Sequence, residues 1–317
     1  MDKAAPLVSI VIPAYNHAFY LDEAIRSVLG QDYKNIELIV LDDGSTDHSR
    51  TVLEKYTGKF HWETQTNMGQ ANTLNKGWQM SRGDILGYLS ADDALMPQAV
   101  SKSVDYLEQY HDAVLTYCDF NLVDPNSAVI RRVNAPEVSY ADMVVRVVCP
   151  PGPGAFFRRS AFDAVGPWDA SLGQMPDYDY WLRVGLQGRF IRIPEVLAAF
   201  RVHDASQTFS PASEKRAEEP VLIISRLFES GQLPSDVAQL KDTALANAGL
   251  VSAQLHFRAG RYGAGLACLR RSFSLAPNNL LSPRTLRVLA NALFNRIGHK
   301  FLWTIRAIVN RRTPHFL

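Results

Sequence analysis

Apolar positions along the first hundred residues alternate between two periods. Leu7-Val8-Ser9-Ile10-Val11-Ile12 is a β-branched run ending at Pro13, which predicts a strand, and Leu21, Ile25, Val28 and Leu29 then fall at helical spacing between Phe19 and Gly30. The same order recurs from Ile36 to Leu41, through Asp42-Asp43-Gly44-Ser45-Thr46-Asp47, to a helix reaching Tyr56 with Ser45 or Thr46 as its cap. Phe60 to Thr64 predicts a short strand, Gly69 to Met80 a helix, Ile85 to Leu89 a strand, and Pro97 to Tyr110 a helix opened by proline. Alternation at roughly 25-residue intervals predicts a Rossmann-like α/β layer, a mainly parallel sheet with helices on both faces and ligands beyond the carboxyl ends of its strands.

Farther along, the rhythm loosens. Ala113 to Asp119 and Val129 to Val133, separated by Asp124-Pro125-Asn126-Ser127, predict a hairpin. A Pro- and Gly-rich stretch, Cys149 to Gly154, precedes an amphipathic helix from Asp177 to Leu186 and a strand from Phe190 to Ile193. The first domain is expected to span residues 1–212. Residues 213–317 carry only helical patterning, with Val221 to Ser230, Ser235 to Phe257, Tyr262 to Leu275 and Ser282 to Asn310 as its helices. Residues 247–277, two helices around Ala259-Gly260-Arg261-Tyr262, resemble a single tetratricopeptide-type hairpin. One copy lacks stacked neighbours to bury its faces, so it reads as a docking appendage.

Composition changes this picture in one place. With 317 residues, 47% of them hydrophobic, the chain has material for about two cored domains. Cys118, Cys149 and Cys268 are too far apart for a metal or redox motif and read as reduced packing thiols. Met1 to Pro6 lacks the basic lead of a signal peptide, so the expected compartment is the cytoplasm. The net charge of +1 conceals a split: none of the 32 Asp and Glu lies beyond Asp242, whereas eleven of the 33 Lys and Arg do. In the last predicted helix, Leu286, Leu289, Leu293, Ile297, Phe301, Ile305 and Ile308 trace one apolar stripe flanked by Arg287, Arg296, Lys300 and Arg306. That pattern fits a peripheral helix on the cytoplasmic face of an anionic membrane, and equally a helix packed on the catalytic domain or on a partner protein. No nucleic-acid-binding module accompanies it, so nucleic acid is not expected as a partner.

The candidate chemistry lies at strand ends. Asp42 and Asp43 follow the second strand and Asp92 and Asp93 the fourth, where an α/β sheet opens to ligand. Magnesium and manganese sites that hold phosphates use one or two such carboxylates. An isolated Asp pair reads first as a helix cap or a solvated turn, and a lone His203 as a surface or satisfied core residue. His17 and His48 have only that structural reading.

Several segments in order alter the weighing. Val8-Ser9-Ile10-Val11-Ile12-Pro13-Ala14-Tyr15-Asn16, Leu41-Asp42-Asp43-Gly44-Ser45-Thr46-Asp47, Asn67-Met68-Gly69 with Asn75-Lys76-Gly77, and Gly83 to Asp93 resemble, in sequence, family 2 glycosyltransferases of the GT-A fold. Asp177-Tyr178-Asp179-Tyr180-Trp181-Leu182-Arg183 resembles the family's acceptor-side motif and Arg201-Val202-His203-Asp204 its closing histidine, so the likeness covers about residues 6–210. It implies a GT-A domain followed by an all-α region. It also implies inverting transfer from a nucleotide-diphosphate sugar to an acceptor hydroxyl; the basic tail, and not the resemblance, favours a glycan or lipid-linked acceptor in cell-surface polysaccharide assembly. Asp177 would be the catalytic base, with Asp179 in support. Pro13 and Tyr15 would wall the base and Asp43 would accept its imino N–H, which favours a UDP- or dTDP-sugar. Asn67, Gly69, Asn75, Ser90, Ala91 and Asp92 would complete the donor site. Mn2+ or Mg2+ would sit on Asp92 and His203, with Asp93 supporting. Ser90 stands where the family often has the first Asp of Asp-X-Asp, and Pro176 where a Glu often precedes the base. Gly152 and Gly154 lie where the family has an acceptor loop, though a rigid turn explains them equally. The alternatives are a nucleotidyltransferase, against which the lack of an early Gly-rich basic loop counts, and a non-catalytic scaffold with a degenerate transferase domain.

Overall fold

A computed structural model describes residues 5–203, 211–278 and, except for 284 and 287, 282–290. Its contacts divide the chain into two compact units, Met1–Met143 with Val148–Phe209, and Val144–Val147 with Ser210–Leu317.

The first unit opens as β1 (Val8–Ala14), α1 (Ala18–Leu29), β2 (Ile36–Asp42), α2 (Ser49–Glu54), β3 (His61–Thr64), α3 (Gln70–Met80) and β4 (Ile85–Tyr88). These four strands are parallel, in the order β3-β2-β1-β4, with Ile12 opposite Val40 and Val11 opposite Tyr88. β1 is buried along its whole length, as expected of a strand covered on both faces. Gly77 lets α3 lie directly on β1, since a Cβ there would run into the Val11 side chain.

Beyond β4 the sheet becomes mixed. β5 (Ala94–Leu95), α4 (Ala99–Gln109), β6 (Ala113–Val123), β7 (Val129–Val133), α5 (Tyr140–Arg146), β8 (Phe156–Arg158), α6 (Arg159–Val165), α7 (Pro176–Val184) and β9 (Arg189–Arg201) follow in sequence. The sheet continues β4-β8-β6-β9-β5, with β7 paired to β6. β8 is antiparallel to both β4 and β6, while β9 runs parallel to β6.

Several elements depart from the sequence-based expectation. β5, β8, α5 and α6 are too short, at two to seven residues, for a periodic signal. β9 runs 13 residues instead of four, because its second half continues pairing with β6 through irregular register near Asp119. α2 starts at Ser49 without a Ser45 or Thr46 cap: Asp47 accepts the Ser49 N–H, and both expected caps bond to Asn16 instead. α4 begins two residues past Pro97.

The second unit, among its described residues, is helical: α8 (Glu214–Ala217), α9 (Glu219–Glu229), α10 (Ser235–Ala238), α11 (Lys241–Arg258) and α12 (Tyr262–Leu275). The single helix expected from Ser235 to Phe257 is two, broken at Gln239 and Leu240. Leu250, Ala253 and Phe257 of α11 pack with Cys268 and Leu269 of α12 and with Val288. The basic amphipathic helix expected to residue 310 lies outside the described residues from 291 onward. Among the described residues no helix is long and apolar enough to cross a membrane.

Candidate active site

Because β2, β1 and β4 are neighbouring parallel strands, the loops leaving their carboxyl ends emerge at one edge of the sheet. The first of these loops turns at Asn16, whose φ of 55° is left-handed. Asparagine tolerates that conformation better than most residues. Its backbone N–H donates to Ser45 Oγ, and its side-chain oxygen accepts the Thr46 N–H, so the loops after β1 and β2 are stitched together. Pro13 is buried within β1, opposite Leu41, and Tyr15 is 45% exposed at the edge.

Asp43 is buried at this edge. Its Oδ1 accepts the Met68 N–H at 2.8 Å and the Gln65 amide at 3.0 Å, and its Oδ2 accepts the Gly69 N–H at 2.8 Å. The resemblance implied a base-reading carboxylate; what the structure shows is a group that clamps the 67–69 turn. Gly69, at φ 84°, is therefore held directly by Asp43, and Asn67 is exposed in the same turn. Gln65 joins Asp43 to Thr73 and Lys76. The Asn75 amide bonds both the N–H and the carbonyl of Trp168 and so braces the 167–175 loop.

After β4 the chain turns tightly, with the Ser90 carbonyl accepting the Asp93 N–H. Ala91 is buried, Ser90 and Asp92 are half-buried, and Asp93 is buried. Asp93 does not cap α4: its Oδ1 accepts the Arg201 N–H at 2.9 Å. Arg201, itself 1% exposed, donates through Nε to the Asp92 carbonyl and through its terminal nitrogens to the Asp124 carbonyl, Ser127 and Glu23, over the Tyr20 ring. Burial and the neighbouring Asp92 push the Asp93 carboxyl well above its usual range. Burial alone would raise Asp92 as well, but hydrogen bonds from His17 and His203 and the charge of His17 outweigh it and hold this carboxyl below its usual range.

The His203 Nε2 lies 3.0 Å from Asp92 Oδ2, and the His17 Nε2 lies 3.7 Å from the same oxygen. Among the described residues, two clusters gather three ligand-type groups within 4.8 Å: this one, and Glu218 with His256 and Cys268 in the second unit. The second is a closed network. Arg261 Nε donates to His256 Nδ1, which leaves Nε2–H to donate to Glu218. Cys268 is held as a thiol, pushed up to about 11 by burial. The first cluster has a carboxylate and imidazole nitrogens facing one point at a strand-end edge, a donor set that fits a divalent cation. His17 was passed over in the sequence because its proximity to Asp92 depends on β1 and β4 being neighbours. Arg201, Tyr20 and Gln65 were missed for the same kind of reason.

The base candidate approaches from α7. Pro176 occupies the first turn of this helix, a position where its missing N–H costs nothing. Tyr180 stacks on Trp78 at 5.5 Å, Trp181 packs on Phe157, and Tyr178 donates to the Met143 carbonyl, so the helix start is rigid. Asp177 Oδ2 lies 4.0 Å from Cys149 Sγ, and burial raises its carboxyl above the usual value. The half-buried Tyr88 hydroxyl is pushed up chiefly by burial and also by Asp177, Cys149 and Asp93, which puts the base candidate and the acidic turn within electrostatic reach of one side chain. Asp179 is held by Arg183. Gly154 turns at φ 79° against Cys118, and Gly152 faces Phe120.

Residues 9–166 match the model of Glycosyl transferase family 2. An uncharacterized glycosyltransferase of Rickettsia typhi is 34% identical over 218 residues, 64% of this chain and 66% of that protein. The chain thus spans just under two thirds of that relative's length. Among solved structures, residues 1–349 of S. aureus TarS in complex with UDP-GlcNAc share the fold at a TM-score of 0.63 and 19% identity, covering 91% of this chain and 81% of that one. A mannosyltransferase, PcManGT from Pyrobaculum calidifontis, in complex with GDP-Man and Mn2+, does so at 0.61 and 18%, covering 92% and 88%. A GT-A-like sheet, an acidic turn after β4 and a direct family match lead to one conclusion: the chain belongs to glycosyl transferase family 2.

Proposed function

We propose that this chain is an inverting, metal-dependent glycosyltransferase that moves a sugar from a nucleotide-diphosphate donor to a hydroxyl of a glycan or lipid-linked acceptor. The observation that carries this reading is the convergence of Asp92 and His203 at the edge where the nucleotide loops of β1 and β2 also end. Relatives supply context: TarS is described with UDP-GlcNAc and PcManGT with GDP-Man and Mn2+.

In this reading Tyr15 and Pro13 flank the base, and the turn clamped by Asp43 lines the donor cleft. UDP- or dTDP-sugars are favoured because a carboxylate can accept their imino N–H, for which Asp43 Oδ2, bonded by one N–H, retains a lone pair. A divalent cation on Asp92 and His203 would act as a Lewis acid toward the departing diphosphate. Asp177 takes the acceptor's hydroxyl proton as the acceptor oxygen bonds to the anomeric carbon and the bond to the diphosphate breaks, which inverts that carbon. The rigid aromatic packing under α7 holds the base in place. Residues 1–212 form the catalytic domain in this proposal, and residues 213–317 serve docking on a membrane surface or a protein at the cytoplasmic face.

A panel of nucleotide sugars with Mn2+ or Mg2+, read first as protection against heat and then as donor hydrolysis, tests the proposal. A UDP- or dTDP-sugar that protects only with metal, and is hydrolysed by the native chain but not by Asp92→Ala, is the expected result. Equal protection by every nucleotide, or hydrolysis unaffected by Asp92→Ala, would overturn it.

A further inference from the structure

The metal reading above uses one carboxylate and one imidazole, and His17 is not part of it. The geometry points to His17 as a third protein ligand, making a two-histidine, one-carboxylate site selective for transition metals over magnesium; this inference rests on the metal-dependent reading. Three features of the β1–α1 loop orient the ring. Asn16 adopts its left-handed turn immediately before it. The backbone N–H groups of His17 and Ala18 donate to Ser49 Oγ and Asp47 Oδ2, which pins the loop to the start of α2. Finally, His17 Nδ1 lies 2.6 Å from the Tyr15 carbonyl.

That last contact decides the chemistry. A carbonyl oxygen only accepts, so Nδ1 carries the hydrogen and Nε2, the atom turned toward Asp92, is the nitrogen that a cation would take as its ligand. A backbone carbonyl on the remote nitrogen is the usual support of a metal-bound histidine. The other network of the protein supplies the contrast, since His256 accepts at Nδ1 from Arg261 and offers Nε2–H to Glu218.

The spacing is also suitable. Adjacent ligands on a first-row metal with bonds of about 2.1 Å stand about 3 Å apart in an octahedral shell and about 3.5 Å apart in a tetrahedral one. His203 and His17 lie 3.0 and 3.7 Å from Asp92 Oδ2. The two imidazoles meet edge to face at 6.0 Å between centroids, with Tyr20 packed against both. Three protein ligands leave coordination positions for diphosphate oxygens. Two nitrogens in the set disfavour Mg2+, which prefers oxygen, and favour Mn2+ and later first-row ions. The same loop carries Tyr15, so the cation site and the nucleotide wall share one short segment.

Titration of the full chain with Mn2+ and with Mg2+, each with and without UDP, combined with pulsed electron paramagnetic resonance of the bound Mn2+, tests this. The native chain is expected to show nitrogen couplings from two imidazoles, and His17→Gln from one. His17→Gln should bind Mn2+ about tenfold more weakly or worse while Mg2+ binding changes little, so the discrimination collapses. The native spectrum is decisive even if the variant folds poorly. A single imidazole coupling in the native chain, or unchanged Mn2+ affinity in a folded His17→Gln, would overturn the assignment and leave the metal-dependent reading standing. Absence of Mn2+ binding by the native chain under both conditions would remove both.

Discussion

The backbone N–H of Arg201 donates to Asp93 Oδ1 at 2.9 Å, so the end of β9 is tied directly to the acidic turn after β4. The same arginine holds the Asp92 carbonyl with its Nε, which makes one buried side chain the organiser of the whole turn. Its burial has a consequence: removing it leaves the part-buried Asp92 and Asp124 carbonyls without this donor.

Arg201→Ala should therefore destabilise the protein by about 3 kcal/mol, more than an ordinary surface arginine. Arg201→Lys should recover only part of this, because one ammonium cannot reach acceptors that the guanidinium fork spans. Urea denaturation of the three proteins checks the order. An alanine variant within 0.5 kcal/mol of the native chain, roughly the level of a surface change, would remove the organising role.

Asp177→Asn should lower transfer about a hundred- to ten-thousandfold, the usual contribution of a positioned base, and leave donor protection against heat intact. It should also raise the melting temperature at neutral pH. Burial raises the folded-state value of Asp177, so its contribution to stability is greatest below the ordinary carboxylate value and is lost as pH rises through the raised one. An amide avoids that loss, and the gain should disappear in acid. A variant equally stable at both pH values would show that the carboxylate is not strained by burial.

The acid limb of kcat/KM should likewise sit above the ordinary carboxylate range, because the base must be ionised and Asp177 holds its proton more tightly than a solvated Asp. Rates across pH, with donor and metal saturating, would show it. A profile flat down to the ordinary carboxylate range would exclude Asp177 as the base.

Asn75→Ala should cost about 2 kcal/mol, since it orphans a buried backbone N–H and a carbonyl of Trp168 together. Donor affinity should change less than stability does, because the amide faces the 167–175 loop. A large rise in donor Kd at unchanged stability would instead place Asn75 in the donor site.

Gly77→Ala should be destabilising by about 1–3 kcal/mol despite alanine's better helix propensity, because the added methyl meets the Val11 side chain on β1. Thermal melting reads the sign directly. A stabilised variant would mean that α3 can lift from the sheet at no cost.

How much of this was legible beforehand follows from the range of the signals. The first four strands and three helices are set by local periodicity, and the strand-end carboxylates could be read without coordinates because α/β sheets open at those ends. Ser45 and Thr46 were misread as caps because a cap is judged from the residues that follow, whereas their partner, Asn16, lies 29 and 30 residues away. The mixed half of the sheet was less visible, since β5 and β8 owe their existence to pairing partners and not to any pattern of their own.

By itself, the sequence determined the alternating α/β order, the helical character of the second unit's described residues and the acidic turn at Asp92, all of which rest on neighbours in the chain. Only the tertiary structure decided which distant groups meet. It brought His203 to Asp92 across 111 residues, set His17 on the same carboxylate, and turned Asn75 toward Trp168. Strand order decides such meetings, and strand order is chosen by the packing of the whole sheet, which no local window contains.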